Sequence, residues 1–448
     1  MAITPGADSG LGLDHDPDRP AGRCRRVAAS ASVTRRLAGA VSLFRGNPVW
    51  VRYFLGRWIS VTGSTVAPIA LAFAVLDLGG GPTGLGLVLV SGPVTHIVVS
   101  PFAGVVADRF ARHLVLACCQ VVNGTVQAVT ALLVLTGAAT VPVLAGLGLV
   151  TGAATSAIRP AGQGLLPQLV ERDRLPDANA LTQISNNLAG IGGPALAGVL
   201  VAGIGPGWVL AWDAASFFLS AALLFTLPVG RVKRGLQTGM LAELREGWAV
   251  FLSLRWVGVL ALLSATSSAL WAAGITVLGP AYANDHLGGP AAWGVLNSAL
   301  AAGFAVGSIT ALLVRPRRAG LICCLAMLPE AALLGCLAAQ LPLPAIAVTA
   351  AVCGVGGTFE LVTYTSTLQA RLPEEQMSRV LATIALVTSL LVPVALVSAG
   401  PLAAAAGATT VLAAAAVTAL LAAALAFSIR DVRNLGKDDG SEGGVNEV

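Results

Sequence analysis

The sequence predicts an all-α integral membrane protein, with twelve transmembrane helices in two six-helix pseudo-repeat halves. Three observations carry this. The 448 residues are 56% hydrophobic and only 11% charged, with a mean hydropathy of +0.81, whereas soluble domains carry about 25% charged residues. Twelve apolar runs approach or exceed the roughly 20 residues that a helix needs to cross a bilayer. The 27 Lys and Arg residues also alternate: every second loop is basic, and the loops between have none. Short positive loops stay on the cytoplasmic side, so this pattern marks a chain threaded back and forth through a membrane.

Taken in order, residues 1–45 are rich in Pro, Gly, Arg and Asp without an apolar period. They read as a disordered cytoplasmic arm and lack the apolar core of a secretory signal. The runs then fall at roughly 50–77, 83–106, 113–136, 141–161, 179–203 and 207–228, and at 256–282, 290–314, 319–340, 343–367, 379–400 and 403–428. Membrane strands would be about half as long with alternating polarity, so backbone satisfaction in lipid requires helices. The first half thus occupies 46–228 and the second 256–429. Between them, 229–255 is the longest interior connection. There Leu236, Met240, Leu244 and Trp248 recur every four residues among Glu243, Arg245 and Glu246, as in an amphipathic helix lying at the inner interface. Residues 430–448 read as a cytoplasmic tail.

The loops decide orientation. Arg109 and Arg112 follow span 2. Arg172 and Arg174 follow span 4, and five basic residues from Arg231 to Arg255 follow span 6. Arg315, Arg317 and Arg318 follow span 8, and Arg371 and Arg379 follow span 10. The segments LGGGPTG, TGAATVP, GIGPG, NDHLGGP, QLPLP and AGPLAAAAG carry no Lys or Arg. Both termini are therefore expected in the cytoplasm of a multi-pass cell-membrane protein.

Composition also excludes several classes. The net charge of +5 is dispersed among loops instead of forming a basic stripe, so nucleic acid is not an expected partner. None of the seven cysteines falls in a predicted outer loop, and their adjacent pairs lack zinc spacing, so no metal, disulfide or cofactor is expected. No G-x-x-x-x-G-K-[ST] phosphate loop is present, which excludes direct drive by ATP at such a loop. No stretch is long enough for a soluble catalytic domain, and an enzyme is not expected. Six plus six helices around a long central loop is the layout of transporters built from two related halves.

The loop GVVADRFARH at 104–113 resembles the signature of the major facilitator superfamily. Gly104, Asp108, Arg109 and Arg112 match, while His113 stands where a further basic residue is usual. The resemblance implies a conformational latch between outward- and inward-facing states. In physical terms, Asp108 would pair at a helix end while the arginines meet helix termini and anionic lipid. The alternative is a plain basic loop that only sets orientation. The corresponding loop of the second half has Gly303, Gly307 and RPRR at 315–318, without an Asp.

Span 5 contains GIGGPALAG at 190–198, which resembles the motif of drug–proton antiporters within the superfamily. Gly192, Gly193, Pro194 and Gly198 would make a bent, closely packed helix face. The stretches FLGRWISVTGS, RPAGQGLLPQLVERDRLPDANAL and TLQARLPEEQMSRV are similar to the branch that includes macrolide and siderophore exporters. That branch often has an Asp after the glycine of the first stretch; here Ser64 follows Gly63. The resemblance implies export of a small amphipathic or hydrophobic compound by proton antiport, in a monomer whose partners are substrate, proton and lipid. A nutrient importer of the same fold is the alternative, and a non-transporting receptor or scaffold is a second.

An ionisable side chain at bilayer depth costs about 2.5–3.5 kcal/mol on insertion scales, so each is a functional candidate. Glu330, Glu360 and Asp213 are the candidates for proton or substrate coupling: a proton and a cationic substrate would compete for the same carboxylate. The alternative for Glu330 and Glu360 is an internal ion pair or hydrogen bond, for instance through Arg57 or Arg159. Asp213 reads first as structural. Trp58, Trp212, Trp271 and Tyr364 are expected either to line a cavity or to anchor the protein at the interface.

Overall fold

The computed structural model describes residues 43–229, 255–314, 318–372 and 374–435. Among these, twelve helices are long and apolar enough to cross a membrane: α1 (Pro48–Asp77), α2 (Gly81–Ala103), α3 (Arg112–Leu135), α4 (Val141–Leu169), α5 (Arg172–Ile204), α6 (Pro206–Phe225), α7 (Arg255–His286), α8 (Pro290–Ala311), α9 (Ala319–Ala338), α10 (Leu343–Arg371), α11 (Thr383–Ala406) and α12 (Ala408–Ser428). No strand occurs among the described residues. The expected amphipathic segment at 236–248 lies outside them, as do most of the N-terminal arm and of the tail.

Prolines shape the helices. The α4 span runs past the expected limit at 161 to Leu169 but is broken after Ser156. Pro160 is the cause: its ring clashes with the carbonyl four residues back, which belongs to Ser156. Pro329 acts the same way on Leu325, where α9 is broken around Ala326. In α7, residues Ala272–Leu278 form a π segment just before Pro280. The stretch AGPLAAAAG, read above as a loop, is helical through Ala406. Pro401 keeps a helical φ and forfeits one hydrogen bond, while leaving the helix inside lipid would strand several. The turn is instead at Gly407, where φ is +87. Similarly, Gly205 at φ +84 reverses the chain between α5 and α6 in a single residue; that backbone is costly for any residue with a Cβ.

Glycines set the packing inside each half, and they do so at equivalent places. In the first half α2 packs on α4, and a Cβ on Gly152 would strike the Gly92 backbone. In the second half α8 packs on α10, and Cβ atoms on Gly303 and Gly354 would strike the Ala351 and Leu300 carbonyls. Close approach of backbones replaces hydrophobic driving force in lipid, so the recurrence of this pair is the structural trace of the repeat. Large apolar side chains such as Phe102, Leu132, Leu313 and Leu425 remain exposed, as lipid-facing positions do.

Among the described residues, the core that the two halves share lies at one end. A single core of buried side chains joins Phe73, Val201 and Leu210 of the first half to Leu278, Trp293 and Leu396 of the second. All of these lie toward the end without basic residues. At the basic end the cores are separate. One gathers Trp50, Val115 and Leu165, the other Leu260, Cys323 and Leu368. The seam itself is glycine-lined. Gly198 of α5 faces Gly294 of α8, and Gly86 and Gly400 join α2 to α11 through Leu396 and Thr83. The described halves thus share a core at one end and keep separate cores toward the basic end.

Candidate functional site

A cavity of about 440 Å³ lies inside the first half, between α1, α2, α3, α4 and α6. Its wall area is largely apolar, with Val61, Ala67, Leu71, Val88, Leu144 and Phe217 among the lining residues, and polar side chains from several helices are set into it. That combination is how small-molecule sites are usually built. Polar side chains on α3 form a stripe: Gln120, Asn123, Gln127 and Thr130 recur at helical spacing, and all four line the cavity. Tyr53, Arg57, Ser60 and Ser64 do the same on α1.

Asp213 on α6 is 2% exposed and belongs to this wall. The Ser216 hydroxyl donates to the Asp213 backbone carbonyl at 2.7 Å and lies 3.4 Å from its carboxylate. Opposite, a Cβ on Gly63 would collide with the Asp213 carboxylate and with Ser216, so only glycine lets α1 approach α6 here. Ser64, the departure from the exporter branch noted above, lines the same cavity. Ser64 on α1 and Asp213 on α6 thus border one cavity.

Gln120 ties three helices together, its amide donating to Ser60 on α1 and Ser220 on α6, both at 2.9 Å. Its carbonyl oxygen, that of Asn123 and the Arg57 Nε are buried without partners. Buried polar atoms are normally paired, and these three border a cavity wide enough for a ligand to satisfy them. Gln120→Leu is expected to lower the thermal unfolding midpoint, because it leaves two hydroxyls unpartnered at a cost of roughly 1–3 kcal/mol. A melt of purified protein unchanged from wild type would contradict this.

Glu330 and Glu360 do not reach the cavity; they lie together in the second half. Glu330 is 5% exposed and accepts from the Ser267 hydroxyl of α7 at 2.5 Å. Glu360 on α10 stands close enough for the two carboxylates to interact electrostatically. Arg57 and Arg159, the cations considered above as their partners, belong to the first half. Trp58 and Trp212 are exposed, Trp271 packs against the shared core and Tyr364 is buried. None of these four lines the large cavity.

The 104–113 loop is a tight reversal. Phe110 and Ala111 are extended between the last turn of α2, which continues to Arg109, and the start of α3 at Arg112. Arg109 is exposed, and the Arg112 guanidinium seats on Gly164 of α4, where a Cβ would displace it. His113 is buried with its Nδ1 unpartnered. The surroundings of Gly104 and the Asp108 side chain lie outside the described set, as do Arg315 and Arg317 of the second-half counterpart. The span 5 motif divides its work. Gly193 packs against Thr65 of α1, Gly198 meets the other half, Gly192 faces open space, and Pro194 sits inside the helix without ending it.

Two glycine-packed six-helix halves that share a core at one end, with a largely apolar cavity among the membrane-spanning helices, have the layout of a multi-pass membrane transporter. The sequence profile of the Major Facilitator Superfamily matches residues 53–396, and the chain belongs to that superfamily. Among curated relatives, the uncharacterized MFS-type transporter YfiS of Bacillus subtilis (strain 168) is 29% identical over 187 residues, 42% of this chain and 44% of that protein. Enterobactin exporter EntS of Shigella boydii serotype 18 is 28% identical over 273 residues, 60% of this chain and 65% of that protein. The chain therefore matches less than two thirds of the length of either relative. The nucleoside transporter NupG superposes with a TM-score of 0.65 at 13% identity, covering 85% of this chain and 98% of that one. A bacterial homologue of the iron transporter ferroportin in the inward-facing state gives 0.66 at 17%, covering 85% and 99%. These two likenesses establish the fold.

Proposed function

We propose that this protein exports a small amphipathic or hydrophobic compound bearing a positive charge, by proton-coupled alternating access. The observation that carries the reading is the apolar cavity of about 440 Å³ with a buried carboxylate, Asp213, in its wall. A charged side chain at that depth costs energy unless it is neutralised. A proton and a cationic substrate neutralise it equally, and their competition is the basis of exchange. The apolar walls then hold the rest of the molecule. The shared core at one end and the separate cores at the basic end support a state open to the cytoplasm, given that short basic loops stay there. The resemblance to an enterobactin exporter supports the outward direction.

Alternating access requires that the sealed end open as the basic end closes. In this reading the Gly198–Gly294 and Gly400–Thr83 contacts hold the outer seal. The 104–113 loop, through Asp108, Arg109 and Arg112, latches the basic end in the opposite state. The test is transport of a fluorescent lipophilic cation in proteoliposomes with an imposed pH gradient. Inverted orientation is expected to accumulate the dye only when the lumen is acidic. Accumulation confined to right-side-out vesicles would replace export with import, and transport indifferent to the gradient would remove the proton.

A further inference from the structure

We infer that Glu330 and Glu360 form a proton site of their own in the second half, holding one proton between them and remote from the substrate cavity. The first argument is charge balance. Across the spans of this half, the only Lys, Arg, His or Asp residues are Arg255, Asp285, His286 and Arg371, and all four stand at helix ends. Two carboxyl groups thus share the interior with no internal cation to pair them. Like charges within electrostatic reach of each other in a low-dielectric site resist ionising together, so neutrality must be drawn from outside, and the smallest available cation is the proton.

The second argument is geometric. The Tyr364 hydroxyl, one turn after Glu360 on α10, is on a side chain 7% exposed and has no hydrogen-bond partner. It lies within electrostatic reach of Glu360. The second oxygen of Glu330 is likewise buried and bare, its first being taken by Ser267. These two unpartnered polar atoms and Glu360 are the groups that would receive a proton or the water that brings it. The other titratable groups near the pair are the thiols of Cys323 on α9 and Cys353 on α10. Packed alongside, α8, α11 and α12 contribute no Asp, Glu, Lys, Arg or His.

Access is graded. Glu360 is partly exposed while Glu330 is buried. A hydronium ion that reaches Glu360 gives its proton to the pair and departs as water, and release runs the same step backwards. Backbone irregularities flank the pair. The break at Ala326 lies one turn before Glu330, and the π segment of α7 begins about one turn after Ser267. Such interruptions often mark places where helices adjust during function.

This inference deepens the proton-coupled reading above, but its test needs no substrate. Purified full-length protein in detergent is shifted from mildly acidic to mildly alkaline pH, and the protons released are counted with an indicator dye. The E330Q/E360Q double variant is expected to release one proton fewer than wild type, and each single variant to differ from wild type by less than that. An unchanged count in the double variant, or a deficit of two, overturns the shared site. So does a wild-type count that falls when sodium chloride replaces choline chloride, since the pair would then hold sodium. Glutamine is nearly isosteric, and a monodisperse elution profile establishes that each variant is folded. If the substrate reading failed in the liposome assay, a deficit of one would still stand.

Discussion

Asp213→Asn is expected to abolish gradient-driven accumulation of a lipophilic cation while leaving the fold intact. The substitution keeps the shape of the side chain and its neighbour Ser216 but removes the only carboxylate among the described residues of the cavity wall. Losing one partner of a desolvated charge pair costs about 2 kcal/mol or more, roughly a 30-fold weakening of cation binding. The proton loses its site at the same time, so binding and coupling fall together. A neutral compound of similar size should be affected far less, because the apolar walls remain. Ser64 offers a stringent second arm. It lines the same cavity, next to the Gly63 on which Asp213 rests. Ser64→Asp in the Asp213→Asn background should therefore recover part of the lost accumulation. If Asp213→Asn moves cations as well as wild type does, the cavity carboxylate is not where coupling occurs.

The second large effect is expected at the seam between the halves. A Cβ on Gly294 would lie 3.0 Å from the Cα of Gly198 and 3.1 Å from its carbonyl carbon. Both are backbone atoms, which cannot swing aside as a flexible side chain can. Gly294→Leu should therefore destabilise the sealed arrangement by about 1–3 kcal/mol, as overpacking generally does, and shift the two-state population toward the alternative by roughly fivefold or more. Spin labels at the exposed positions Ile204 and Gln340, in a cysteine-free background, report the separation of the halves at this end. The expected result is a longer distance population in Gly294→Leu, with transport falling as the cycle is trapped. Gly192→Ala is the control, since a Cβ there meets nothing within 4 Å. An unaltered distance distribution in Gly294→Leu would mean that the Gly198–Gly294 contact does not hold the seal.

Parts of the site are legible in the chain. The polar stripe Gln120, Asn123, Gln127 and Thr130 is visible at helical spacing in an otherwise apolar run, and it marks the cavity-facing side of α3. A search for buried charge passes over it, because the groups that line the cavity are mostly amides and hydroxyls. Asp213 is recognisable as a buried acid, but nothing local tells a structural aspartate from a cavity-lining one. Its surroundings come from Gly63, about 150 residues away. Glu330 and Glu360 are likewise recognisable one by one, whereas their proximity depends on how α9 and α10 pack.

What the sequence by itself determined is the membrane span pattern, the pairing of two halves and the family. Each of these rests on local physics: apolar length against bilayer thickness, obligatory backbone hydrogen bonding in lipid, and the sidedness of short basic loops. What only the tertiary structure decided is which polar residues share a space. It separated Asp213 from the Glu330–Glu360 pair, divided the span 5 motif between α1 and α8, and joined the described halves through a shared core at one end. Helix packing in lipid is set by small residues meeting across long sequence separations. Which face of a helix meets which neighbour is therefore a property of the assembled bundle, beyond the reach of any single span.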